Sequence, residues 1–174
     1  MRGLANPLPI WVLLATWLCA GAAFAAPDAD LREARRPATA PERLVELAAD
    51  EAWEVRRAVA ANRRTPAAAL ERLAVDPDRR VRIAVATNLS TPLPLFRRLA
   101  ADPDPQVRMV VARFEYVPAE VLRILAGDAD PAIRLEVARA WNSDEATLKR
   151  LLADDYGEIR QAARQGLARL LGEE

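Results

Sequence analysis

Apolar residues recur along this chain in two alternating patterns, each returning every 26 residues. In the first, Leu44, Leu70, Phe96, Leu122 and Leu148 form one column, and Leu47, Leu73, Leu99, Leu125 and Leu151 form another. In the second, Val55, Val81, Val107, Ile133 and Ile159 are each followed, one helical turn on, by a mostly small pair: Ala58/Val59, Ala84/Val85, Val110/Val111, Glu136/Val137 and Ala162/Ala163. Such i, i+3, i+4 spacing marks one face of a helix. The columns align without gaps from about Thr39 to the C-terminus, and a fixed period of this kind signals a repeat architecture. Each unit is predicted to be two short helices, with hairpins at roughly 39–64, 65–90, 91–116, 117–142 and 143–168.

Polar columns punctuate the pattern. Asp50, Asp76, Asp102, Asp128 and Asp154 follow the second leucine column. Asp76 is predicted to cap the next helix, with Pro77 at its first position. Asn62, Asn88 and Gly166 share a column predicted to end the second helix in a left-handed conformation. Thr65-Pro66 and Thr91-Pro92 restart the chain as the next helix. Directly after the Val/Ile column stand Arg56, Arg82, Arg108, Arg134 and Arg160. They are predicted to reach the Asp column of their own or the next hairpin as a structural ladder of exposed pairs, each worth ~0–1 kcal/mol. One hairpin has too little apolar surface to be stable alone, whereas stacked hairpins bury a continuous core. The expected fold is therefore all-α, a solenoid of five two-helix repeats.

The pattern L-A-x-D-P-x-x-x-V-R-x-A-V-A-x-N-x-x-T-P resembles the leucine-rich repeat variant (LRV) family, and its D-x-x-x-x-V-R-x-A core is similar to HEAT-like repeats. The resemblance covers roughly residues 39–171. It implies a right-handed α-superhelix used mainly for protein–protein interaction. Some LRV proteins carry an iron–sulfur cluster held by cysteines. Cys19 is the only cysteine, and it falls in the N-terminal leader, so that activity is not carried over and no cofactor is expected.

Residues 1–25 read as a secretory signal peptide: Arg2, an apolar centre over 10–18, then Ala23-Phe24-Ala25 as the cleavage site. The expected location is periplasmic or secreted, with membrane contact only if this segment stays as an anchor. Residues 26–38 are polar and proline-bounded and read as a linker with a short helix near 31–36, and 172–174 read as a tail.

Candidate chemistry is sparse. With no histidine, neither a His-based triad nor an ordinary zinc site can be built. The scattered glycines form no phosphate loop. Asp78, Asp104, Asp130 and Asp155 make the Asp edge acidic, but helix capping explains the Asp column better than calcium binding does. No catalytic or metal-binding residue is assigned. Charge balance, 25 basic against 25 acidic residues, argues against a dedicated nucleic-acid binder.

The repeat breaks its own rule in one loop column. Asn62-Arg63-Arg64 and Asn88-Leu89-Ser90 become Phe114-Glu115-Tyr116 and Ala140-Trp141-Asn142. Phe114, Tyr116 and Trp141, with Arg113 and Arg139 nearby, are candidates for a partner-binding patch, since aromatics and arginine dominate interface hot spots. The alternative is that the rings tuck into the groove between repeats and replace asparagine caps. Glu136 stands among small residues and is expected to pair with Arg108 or Arg134, or to be partly exposed. Trp53 and Tyr156 are expected to cover apolar edges near the two ends. The expected function is a non-enzymatic scaffold for a protein or peptide partner. Two alternatives remain: anionic-polymer or nucleic-acid binding through surface arginines, and a lyase-like or enzyme-accessory role.

Overall fold

The computed structural model describes residues 27–172, which fold as eleven helices with no strand. The signal peptide and Cys19 lie outside the described residues. After α1 (Pro27–Arg35), first and second helices of each hairpin alternate. The first helices are α2 (Pro41–Leu47), α4 (Ala67–Leu73), α6 (Leu93–Leu99), α8 (Ala119–Leu125) and α10 (Glu145–Leu151). The second are α3 (Trp53–Ala61), α5 (Arg79–Ala86), α7 (Pro105–Arg113), α9 (Pro131–Arg139) and α11 (Gly157–Leu171). Within each series every helix starts 26 residues after the one before. Second helices pack on one another along the whole stack, and first helices do so far less. The second-helix side is thus the tighter, inner side of a helical repeat solenoid.

The core follows the columns. Leu44, Leu70, Leu122 and Leu148 are fully buried, as are Val59, Val85, Val111 and Val137. Burying one such side chain contributes about 1.5–3 kcal/mol. Alanine at positions such as Ala60, Ala86 and Ala138 lets successive second helices approach closely.

Helix starts differ from expectation by two residues. Asp78, Asp104 and Asp130, not Asp76 and its equivalents, cap α5, α7 and α9, accepting the N–H of Arg80, Gln106 and Ala132. Asp76 instead accepts the Asp78 N–H at 2.9 Å, and Asp102 and Asp128 do the same for Asp104 and Asp130. These are side-chain turns that bend the chain into the cap. Pro105 and Pro131 take the first helical position, and Pro77 lies before the cap.

Helix ends also differ. Asn62 and Asn88 are not left-handed, and among the described residues only Gly172 has positive φ. Their value lies in the side chain. Asn88 Nδ2 donates to Ala60 O at 2.6 Å and Asn62 O at 2.9 Å, while its Oδ1 accepts the Ser90 N–H. Asn62 repeats this on Ala34 O and Arg36 O. In the first two repeats one buried amide therefore ties the repeat to the element before it. Beside it, the Thr39, Thr65, Thr91 and Ser143 hydroxyls donate to carbonyls six residues back.

The Asn62 contacts explain the N-terminal segment. Residues 27–35, expected to be mostly linker, form helix α1, which packs on α3 as one second helix packs on the next. Ala34 is fully buried there. At the other end, Gly166 does not terminate a helix. It lies inside α11, where an added Cβ would stand 3.0 Å from Leu148 and 3.2 Å from the Ala138 carbonyl. Helix α11 runs on to Leu171, and Gly172 closes it at φ 70°.

Replacing Asn88 by Ala should lower stability by about 2–3 kcal/mol, because two buried carbonyls and one N–H lose their partner. Asn142→Ala, which removes a single part-buried bond to the Val117 carbonyl, should cost about 1 kcal/mol. Urea denaturation of both variants checks this. Equal, small losses would show that the amide rung adds nothing.

Candidate interaction surface

Two edges of the stack carry the polar columns. On one edge the loops within hairpins hold the aspartates, and the first turns of the second helices hold the arginines. Arg56, Arg82, Arg108 and Arg134 each donate from Nε and Nη2 to both oxygens of Asp76, Asp102, Asp128 and Asp154 in the next repeat, at 2.6–3.1 Å. The remaining Nη1 binds the main-chain carbonyl of the Asp in the same repeat. The ladder ends are open. Among the described residues the Arg160 side chain bonds only to the carbonyls of Asp154 and Asp155, and the Asp50 carboxylate accepts only the Ala52 N–H. The four carboxylates are only 4–6% exposed, so these are not the surface pairs expected from the sequence.

Electrostatics follow from that geometry. Burial alone would push the Asp128 carboxyl up, but hydrogen bonds from Arg108 and the Asp130 N–H outweigh it and hold it low. Hydrogen bonding from Arg134 holds Asp154 low as well. The cap Asp78 is pulled down to about 2 by the Arg80 guanidinium. With their oxygens taken by guanidinium and backbone N–H groups, these acids act as structural acceptors. Arg80 also lies over the Trp53 ring at 3.2 Å, and Arg134 over Tyr156 at 5.7 Å.

The opposite edge is built from the loops between hairpins. There the third unit gives up its polar rung. Phe114 stands in the asparagine column and Val117 in the threonine column. Phe114 is half-buried and stacks on Phe96 at 5.8 Å, so it packs inward as the alternative reading required. Tyr116 meets Phe114 edge-on at 5.8 Å and is 62% exposed. Trp141 is 64% exposed and donates from Nε1 to the Glu115 carbonyl, so it lies across the Phe114–Tyr116 loop. Arg113 and Arg139 are committed to ion pairs with Glu136 and Glu158. Glu136 therefore pairs across repeats with Arg113, not with Arg108 or Arg134, which the ladder occupies.

The sequence reading missed Leu89. It is 50% exposed on the same edge, one repeat before Tyr116. Its column reads Arg63, Leu89, Glu115, Trp141, too varied to stand out as a pattern. Leu89, Tyr116 and Trp141 thus place one exposed apolar side chain on each of three consecutive loops. On the inner face, Ile83, Met109 and Leu135 form a half-buried column 26 residues apart.

The family model described as leucine rich repeat variant matches residues 53–78. That stretch covers α3, α4 and the approach to α5, one full period of the stack. The chain is similar to that HEAT-like helical repeat family over this unit, and such repeat scaffolds are usually non-catalytic. No curated protein matches the chain.

The acid response of the ladder has a definite sign. Asp128 and Asp154 have lower pKa values folded than unfolded, so unfolding takes up protons. Their stabilisation is complete above the ordinary carboxylate value of about 4 and is lost as pH falls through the lower folded values. Asp128→Asn should cost about 3 kcal/mol at neutral pH, because the Arg108 guanidinium keeps its burial and loses its counter-charge. The gap between wild type and variant should narrow progressively as pH falls below about 4. Urea midpoints measured across pH test this, and a gap independent of pH would refute it.

Proposed function

We propose that this protein is a non-enzymatic scaffold that binds another protein or peptide outside the cytoplasm, in the periplasm or after secretion. The observation that carries the reading is the row of exposed Leu89, Tyr116 and Trp141 on consecutive loops of one edge. Rigid aromatic side chains presented by a fixed backbone lose little entropy on binding and are common interface anchors. The repeat architecture supplies a firm surface on which such residues keep their spacing. The N-terminal pattern of charge, apolar run and A-x-A supports export. Eleven arginines along the stack are already ion-paired, which breaks up the positive face an anionic polymer would need and favours a protein or peptide.

The test is affinity capture from an extracytoplasmic extract on immobilised protein, followed by titration of the purified captured partner. Leu89→Ala/Tyr116→Ala/Trp141→Ala should fold as wild type, since all three side chains are exposed, and weaken binding by about tenfold or more. A partner held equally by both proteins would move recognition away from this edge. Failure of wild type to retain any protein would end the scaffold reading.

A further inference from the structure

At the N-terminal end of the inner side, between α1 and α3, lies an open cavity of about 490 Å³. Arg35, Arg57 and Arg63 line it, with Ala58 and Ala61 as an apolar floor. Elsewhere in the stack most guanidiniums have carboxylate partners. Among the described residues these three make no hydrogen bond or ion pair through their side chains. Glu54 is the one acid in the lining, and it is not paired with any of them.

The repeat shows what is missing. Arg113 at the end of α7 donates to Glu136 of α9, 23 residues on, at 2.6 Å. Arg35 at the end of α1 occupies the same register, and α1 packs on α3 much as α7 packs on α9. The residue 23 positions after Arg35 is Ala58. Where α7 and α9 place a carboxylate opposite the arginine, the first contact of the stack leaves a methyl group and space; Glu54, which stands where Glu158 meets Arg139, makes no ion pair with Arg35. Two further guanidiniums border that space.

We propose that this cavity binds a carboxylate side chain of an acidic peptide segment, seated where Glu136 sits opposite Arg113. The proposal rests on the reading of the protein as a peptide-binding scaffold and gives that scaffold its ligand chemistry. Planar guanidiniums suit carboxylates because two parallel N–H groups meet two oxygens. Several arginines around one site then favour a segment with more than one acid. Arg63 also belongs to the column that continues as Leu89, Glu115 and Trp141, so the cavity opens onto the exposed edge.

The experiment is fluorescence anisotropy with labelled octaglutamate, octaglutamine as the uncharged control, and unlabelled heparin as a competing polyanion. Wild type should bind octaglutamate and ignore octaglutamine. Arg35→Gln/Arg57→Gln/Arg63→Gln should weaken binding by about tenfold or more through lost charge-assisted hydrogen bonds. Ala58→Glu should do the same by a different route, since it supplies the missing carboxylate from within, and circular dichroism should show it folded. Arg164→Gln, which removes another exposed unpaired arginine at the far end, should leave affinity unchanged. No octaglutamate binding, equal octaglutamine binding, or full binding by Ala58→Glu would each overturn the proposal, as would heparin binding wild type and Ala58→Glu alike and displacing the peptide from both. Octaglutamate affinity should survive Leu89→Ala/Tyr116→Ala/Trp141→Ala. Triple-variant protein that still captures the partner as wild type does, with octaglutamate binding intact, would therefore count against the edge alone, and wild type that captures a partner through the edge yet ignores octaglutamate would count against the cavity alone.

Discussion

The bidentate bond from each ladder arginine to the next repeat's aspartate is the contact on which the register of this stack depends. Helices of seven to nine residues, as nearly all of these are, do not persist in water unaided. Burial of the leucine and valine columns supplies most of the favourable energy, but it is non-directional. Valine and alanine faces could slide against one another with modest loss. The arginine cannot slide, because its Nη1 is held by its own repeat's carbonyl while Nε and Nη2 reach forward. The aspartate cannot slide either, because one oxygen is engaged by the N–H two residues on. Both partners are thus oriented before they meet, and little freedom remains to be lost. The asparagine amides do the same on the opposite edge with neutral groups.

Most of this fold was legible in the sequence because the periodic residues are the ones that pack. The columns of Leu47, Val55 and Val59 are buried in nearly every copy, so helix positions and hairpin order follow from spacing. Elsewhere the same residue types do two jobs. Asp76 and Asp78 stand two apart and each accepts a backbone N–H two residues on, so which one caps the helix depends on dihedral angles that spacing does not encode. Asparagine at a helix end suggests a left-handed residue. Here the backbone stays extended at Asn62, because the neighbouring repeat offers two carbonyls to its amide. Helix α1 was hidden by a polar composition. Only its packing on α3 shows that Ala34 and Thr39 stand one period before Ala60 and Thr65.

The candidate site was legible in part, and for a physical reason. Departures from a repeat are visible, so Phe114, Tyr116 and Trp141 stood out. Which of them faces water is a matter of packing. Phe114 follows the asparagine path inward and meets Phe96, and that displaces Tyr116 and Trp141 outward onto the loop surface. Leu89 did not stand out because its column has no consensus to violate. The partner of Glu136 was misjudged because ladder occupancy removes Arg108 and Arg134 from reach, leaving Arg113.

Repetition also gives the surface a direction. An interior arginine on the inner side meets a carboxylate from the following helix, as Arg113 and Arg139 do. At the start of the stack Arg35 meets alanine, and guanidinium charge is left uncompensated. Further along the edge the exposed side chains become apolar: leucine, then tyrosine, then tryptophan. A uniform stack would present the same chemistry at every step, and a bound segment could settle in several registers. With charge at one end and aromatic area toward the other, only one orientation of an acidic and apolar segment satisfies both. The gaps and rings that break the repeat are therefore what could convert a periodic support into a selective surface.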